Sequence, residues 1–180
     1  DTRGWGPPFL KARDGSATRE SGYYLATNRG KRSVTISLER PEGQRLVINP
    51  LFHTNLIRSG NLDGYEPVIR ESILRLTRPG MTAYDIGANV GVFSLLFASI
   101  VNSHGVVYAF EPEKINYTCL DKSIKINNYK NIVLDKRAVG RSCGKEQFDR
   151  RGGAFSGRLI DNNVSYQKTH NIESVETVSL

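Results

Sequence analysis

Apolar residues in this 180-residue chain gather into short periodic runs between glycine-rich and charged turns. Ser33 to Leu38 alternates, Pro41 to Gln44 is turn-like, and Arg45 to Asn49 alternates again, which predicts a β-hairpin. From Glu66 to Leu76, Val68, Ile69, Ile73, Leu74 and Leu76 fall at helical spacing. Met81 to Ile86 reads as a short buried strand, since Pro79-Gly80 punctuates its start and Gly87 its end. Val90 to Val101 is apolar on most sides, as a buried crossover helix is. Gly105 to Phe110 predicts a second strand, ending in Glu111-Pro112. Ile115 to Ile126 sets Leu120, Ile124 and Ile126 against Lys114, Lys122 and Lys125, an amphipathic helix. Glu173 to Leu180 alternates around Val175 in strand fashion. Strands alternating with helices predict an α/β fold, a mostly parallel sheet covered on both faces.

Residues 1–30 are rich in Gly, Arg, Ser and Pro, with Trp5, Pro7 and Pro8 among them, and show no sustained period. They read as a flexible or loosely packed arm. Residues 31–80 follow as an N-terminal extension of hairpin plus helix, and residues 81–180 as the core.

Composition changes this picture little. At 38% hydrophobic and 24% charged the chain is an ordinary globular one. Its longest strongly apolar run, Val90 to Val101, is too short for a bilayer, which takes about 20 residues. No secretory signal is visible, and the expected compartment is cytoplasmic. Cys119 and Cys143 are far apart with no histidine at ligand spacing, so they read as reduced, buried thiols and not as a metal site or disulfide. The triplets Asn116-Tyr-Thr118 and Asn163-Val-Ser165 match the glycosylation pattern, and the first falls on the amphipathic helix.

Charge raises one alternative. The net charge of +7 is concentrated before residue 81, where thirteen of the 25 basic residues meet eight of the 18 acidic ones. Arg29, Lys31 and Arg32, with Tyr23 and Tyr24 nearby, suit phosphate contact and base stacking. A solvated basic face without a partner explains the same charge, so nucleic acid is the less favoured partner.

The chemistry concentrates in Tyr84-Asp-Ile-Gly-Ala-Asn-Val-Gly91, a strand tip, a glycine turn and the head of a helix. Strand, turn, helix, strand and acid is the layout of a nucleotide-binding βαβ unit. It departs from the dinucleotide fingerprint G-x-G-x-x-G, because Asn89 takes the middle position and Asp85 stands at the strand tip. A pyrophosphate there meets a like charge; S-adenosylmethionine, with a sulfonium, an ammonium and no phosphate, meets an opposite one. The carboxylate of that cofactor is expected on the turn amides and the positive end of the helix. Glu111, at the tip of the second strand, is placed to accept hydrogen bonds from ribose hydroxyls.

At these residues the chain resembles the class I S-adenosylmethionine-dependent methyltransferases, and within them the FkbM-like branch, where D-x-G-A-N-x-G is the usual form. The resemblance extends to Arg45–Asn49, Ile57–Gly60 and Gly64–Pro67 upstream. Downstream, Asn131–Leu134 is similar to that family's third strand, Arg137–Gly140 to its adenine turn, and Gly152–Ser156 loosely to its glycine-serine loop. It covers roughly residues 33 to 180. It implies a Rossmann-like, doubly wound fold in which Asp85, Gly87, Asn89 and Gly91 shape the loop around the methionine part of the cofactor. Glu111 would hold the ribose, Pro112 and Ala138 would border the adenine, and Glu66 would reach the methionine end. Plain structural uses stand beside these roles: glycines as turn formers, Glu111 and Glu66 as acids at helix starts.

The implied reaction is methyl transfer to a hydroxyl, on a sugar, polyketide or other small molecule, with nucleic-acid methylation or a non-catalytic scaffold as alternatives. A hydroxyl acceptor needs a base or metal for its proton. His53, His104 and His170 are candidates by type alone; each reads as a surface or loop residue, because nothing in sequence pairs with them. No metal site is expected, and the sequence is silent on oligomeric state. The family's T-L-D closure of the last strand and its later D-x-E-G-x-E strand do not occur before Leu180, so the chain reads as a piece of a larger protein.

Overall fold

The computed structural model describes residues 9–11, 17–21, 34–37, 43–50, 52–54, 56, 65–150, 157–160 and 172–180. The basic cluster 29–32, the stretch 57–60, the glycine-serine stretch 152–156, the triplet at Asn163 and His170 lie outside these residues.

The chain opens with strands β1 (Phe9–Lys11) and β2 (Ala17–Ser21), an antiparallel pair inside the stretch that shows no period in sequence. Strands β3 (Val34–Ser37) and β4 (Arg45–Ile48) form the expected hairpin, in register from Val34 opposite Ile48 to Ser37 opposite Arg45. Helix α1 (Pro67–Leu76) starts at proline, whose locked φ suits a first helical position. The core then runs β5 (Thr82–Ile86), α2 (Val92–Val101), β6 (Val106–Phe110), α3 (Lys114–Ile126) and β7 (Ile132–Asp135). Its three strands pair in parallel in the order β5-β6-β7, so this is the Rossmann-like α/β arrangement.

Packing explains the order. Ala83, Val107 and Ile132 meet Ala98 and Val101 of α2, while Ala109 and Leu134 meet Leu120 and Ile124 of α3. Both crossover helices therefore lie on one face of the sheet. The hairpin closes over them: Leu46 and Ile48 pack on Val92, Leu95 and Cys119, and the Ser123 hydroxyl accepts the Val47 amide at 2.8 Å. The opposite face of the sheet is open among the described residues. Tyr84 and Ile86 are 53% and 57% exposed, and Tyr84 stacks on Tyr108 with ring centroids 5.3 Å apart. The expectation of a buried motif strand is thus corrected: among the described residues β5 is an edge strand, buried through Ala83 on its helix side.

A second sheet has the order β10-β9-β11-β8, from β8 (Ala138–Val139), β9 (Gly144–Asp149), β10 (Arg158–Leu159) and β11 (Ile172–Val178). The last strand appears where alternation predicts it, antiparallel to β9 and parallel to β8. Strand β9 has no apolar alternation, since Phe148 is its one buried apolar residue, and it forms by pairing with β11.

Two further expectations need correction. Cys119 is buried but Cys143 is exposed. His53, expected at the surface, is fully buried, because β4 and the turn after it pack down on α3. His104 is exposed as expected. No helix among the described residues is long and apolar enough to cross a membrane.

Candidate active site

The turn after β5 is built on three left-handed residues, Gly87 (φ 76°), Asn89 (φ 52°) and Gly91 (φ 95°). Gly87 has open space around it, so glycine is there for its backbone alone. At Gly91 an added Cβ would lie 2.2 Å from Cδ1 of Leu120, so packing demands glycine as well. Asn89 tolerates this conformation because its short side chain bonds locally, Oδ1 accepting the Val90 amide at 2.8 Å.

Every amide of the turn is engaged within the protein. Gly87 and Ala88 donate to the Phe110 carbonyl, Asn89 to Oε2 of Glu111, Val90 to Asn89, and Gly91 to the Ala88 carbonyl. A phosphate cradle works by presenting such amides outward. From Gly87 to Gly91 this turn presents none. The expectation that a cofactor carboxylate rests on the turn amides is corrected accordingly; what remains for it is the first turn of α2.

A cleft of about 190 Å³ opens at the carboxyl ends of β5 and β6, facing the second sheet. Of the residues singled out in sequence it is lined by Gly87, Asn89, Glu111, Pro112 and Ala138. Glu113, Asn116, Phe148, Gly157, Arg158 and Leu159 complete much of its wall; the sequence reading placed none of the six at the site and singled out Asn116 only for its glycosylation-type triplet. Phe148, Arg158 and Leu159 come from strands with no clear pattern. Glu113 had a signal, an acid just before an amphipathic helix.

Glu111 is buried, 4% exposed, at the tip of β6. Its Oε2 takes the Asn89 amide at 2.7 Å and its Oε1 the Glu113 amide at 2.8 Å. Burial pushes its carboxyl up to about 7, against the pull of those two amides. A carboxylate offers about four acceptor sites, so capacity remains for a ligand hydroxyl. The cap of α3 falls to Glu113, whose Oε2 accepts the Asn116 amide at 2.8 Å. Arg150 meets Glu113 at 2.5 Å and reaches Glu173 at 3.6 Å, which balances one of the two buried acids.

Three expected residues are not on the cleft wall. Asp85 turns toward α2: the Ser94 hydroxyl donates to its Oδ2 at 2.5 Å, and the Ser94 amide also supports it, although burial raises its carboxyl. It therefore holds the first turn of the helix that follows the loop. Gly91 is packed beneath the loop on Leu120. Glu66 is exposed just before α1, with φ 46° and no side-chain cap bond. Among the described residues no group of three His, Cys, Asp or Glu side chains could hold a metal ion.

No family model matches the chain. Over 47 residues it is 55% identical to succinate–glutarate CoA-transferase of Agrobacterium fabrum, a match covering 26% of this chain and 12% of that protein. The mouse succinyl-CoA:glutarate CoA-transferase matches at 43% over 47 residues, 26% of this chain and 9% of that protein. The chain thus spans about a tenth of the length of these curated relatives. Among solved structures it is similar to wild-type Trm5b from Pyrococcus abyssi, at 20% identity over 62% of this chain and 34% of that one, with a TM-score of 0.41. It is also similar to TYW2 from M. jannaschii in complex with AdoMet, at 17% identity over 58% of this chain and 44% of that one, TM-score 0.41. A SAM-dependent O-methyltransferase from Thermotoga maritima matches at 13% identity over 72% of this chain and 40% of that one, TM-score 0.37.

Proposed function

We propose that the core binds S-adenosylmethionine and serves methyl transfer to a hydroxyl of a small molecule or sugar. The observation that carries this is the pairing of a buried acid, Glu111, with a glycine turn whose amides are all engaged internally. Such a site suits a nucleoside with ribose hydroxyls to donate and no phosphate to be held. The FkbM-like motif from Asp85 to Gly91 supports the same cofactor.

The residues fit that group in part. The cleft is smaller than the roughly 300–1,000 Å³ of a whole small-molecule site, so it corresponds to the nucleoside that Glu111 would hold. When bound, the cofactor supplies an electrophilic methyl on a cationic sulfur. The chain's own part is positional: Glu111 accepts ribose hydroxyls, Pro112, Ala138 and Phe148 give the base apolar walls, and Asp85 fixes the helix that frames the loop. Catalysis would then come from holding an acceptor oxygen about 3–3.5 Å from the methyl, in line. No histidine lines the cleft among the described residues, and its titratable side chains are Glu111, Glu113 and Arg158.

Calorimetry decides the matter. S-adenosylmethionine and S-adenosylhomocysteine should bind the wild type, and Glu111→Ala should weaken both by about 1–3 kcal/mol, the scale of a charge-assisted hydrogen bond. NADH binding as tightly, or no heat from either adenosyl ligand, would overturn the proposal. RNA binding that collapses with added salt would shift the acceptor to nucleic acid. A second reading is favoured by one observation, the 55% identity over 47 residues to a CoA-transferase. Under it that quarter of the chain shares an origin with acyl-CoA enzymes, and a titration with succinyl-CoA tests whether any such binding survives.

A further inference from the structure

The second sheet meets the buried acids of the cleft through one arginine. Arg150 directly follows β9, and its guanidinium donates to Oε1 of Glu113 at 2.5 Å. It also reaches Glu173 of β11 at 3.6 Å, so it is tied to the sheet on one side and to the cleft on the other. Glu113 is fixed in turn. Its Oε2 accepts the Asn116 amide at the head of α3, and its own amide donates to Oε1 of Glu111 at 2.8 Å. The second oxygen of Glu111 takes the Asn89 amide at 2.7 Å. Each step from Arg150 to Glu111 is therefore a hydrogen bond or a covalent neighbour. Glu111 and Glu113 are each 4% exposed, and both line the cleft. Two buried carboxylates this close oppose each other's ionisation, and the arginine beside them is committed to Glu113.

We propose that Arg150 is a positioning residue of the cofactor cleft: it takes up the charge of Glu113, so that Glu111 can ionise and accept ribose hydroxyls. The second sheet is thereby a working part of the site. The importance of this to cofactor binding rests on Glu111 being the ribose-holding acid; the effect on Glu111 itself does not. Other charged groups around Glu111 are engaged elsewhere. Asp135, at the tip of β7, is gripped by Arg137, and it is its carbonyl that meets Glu111, accepting that amide at 2.9 Å. Asp85, at the tip of β5, turns to Ser94. His53 stands beyond Asn116 and is kept neutral by burial. Asp149 follows Phe148 on β9, so alternation puts it on the opposite side of that strand. Arg158 of β10 and Lys114 of α3 are exposed, where solvent screens them. Glu113 remains as the close charge. Burial sets the Glu111 carboxyl at about 7 and Glu113 adds to the rise, so its ionisation near neutral pH responds to whatever neutralises Glu113.

The test uses the whole chain with 13C-labelled glutamate carboxyls, the Glu111 signal being the one lost in Glu111→Gln. Arg150→Met and Glu113→Gln break the same ion pair, so a merely structural tie is lost alike in both. Their effects on Glu111 should nevertheless be opposite. With Glu113 left bare, Arg150→Met should raise the Glu111 titration midpoint by about one pH unit, and Glu113→Gln should lower it by about as much. Arg150→Lys, which keeps the charge, should stay near the wild type. Each variant tests its own sign, so misfolding of one leaves the other decisive. At pH 7 about half of Glu111 is ionised in the wild type, so Arg150→Met should weaken S-adenosylhomocysteine about fivefold. At pH 9, where Glu111 is ionised in both proteins, that difference should vanish. Midpoints that stay put or move the same way in the folded variants, or a binding loss that persists at pH 9, would overturn the proposal. A wild type that binds no S-adenosylhomocysteine while the midpoints move apart would instead discard the cofactor and leave the hold of Arg150 on Glu111 standing.

Discussion

Replacing Gly91 with alanine separates the two demands that the loop places on that position. The first is conformational: φ 95° lies in the left-handed region, where a non-glycine residue costs about 1–2 kcal/mol. The second is steric. The new methyl would lie 2.2 Å from Cδ1 of Leu120, and Leu120 is fully buried between α3 and the sheet, so it cannot swing aside. Overpacking of this kind costs about 1–3 kcal/mol. Together they predict a loss of about 2–5 kcal/mol for Gly91→Ala. Gly87→Ala carries the first cost without the second, since its Cβ would meet open space at φ 76°, and should lose about 1–2 kcal/mol. Equilibrium urea denaturation of both variants measures the difference, provided m is unchanged. Adding Leu120→Ala to Gly91→Ala should recover about 1–3 kcal/mol relative to the sum of the single changes, because the clash is gone. Strict additivity in that cycle, or Gly91→Ala no worse than Gly87→Ala, would refute the steric part.

Other outcomes follow from the buried titratable groups. Glu111 titrates at about 7 when folded and at the ordinary 4.5 when unfolded, so between those values the native state binds the extra proton. Its contribution is present in full below pH 4.5 and is lost as pH rises through 7, about 3 kcal/mol in all, and urea midpoints of wild type and Glu111→Gln across that range report it. His53 acts in the opposite sense: held neutral by burial, it costs stability as pH falls through its unfolded value of 6.5, so Glu111→Gln should expose a rise of stability with pH near there. Arg150→Ala strands the buried Glu113 and should cost about 1–3 kcal/mol, less than a fully buried pair because the arginine is 33% exposed; thermal melts should show Arg150→Lys, which keeps the charge, losing less.

Much of the core is legible in the chain's local pattern. The runs at Met81–Ile86, Val90–Val101 and Gly105–Phe110 resolve into β5, α2 and β6 because each carries its own period and its own glycine or proline boundary. The turn is legible for a related reason: Gly87 and Gly91 mark backbone that only a residue without a side chain adopts at ease. Proximity is not legible. Strand β9 is polar and pairs because β11 lies beside it, more than twenty residues further along the chain, and no local rule foresees that. Phe148, Arg158 and Leu159 reach the cleft through that sheet.

The same distinction runs through the site. Sequence by itself determined the succession of strand, glycine turn, helix and strand, and the two acids at strand tips, since these depend on neighbours a few residues apart. Only the tertiary structure decided that Asp85 faces Ser94, that Gly91 is constrained by Leu120, that Glu66 stands apart, and that His53 is buried on Asn116. Those outcomes depend on which surfaces meet across the chain. Burial then sets which hydrogen bonds survive and which carboxyls keep their charge.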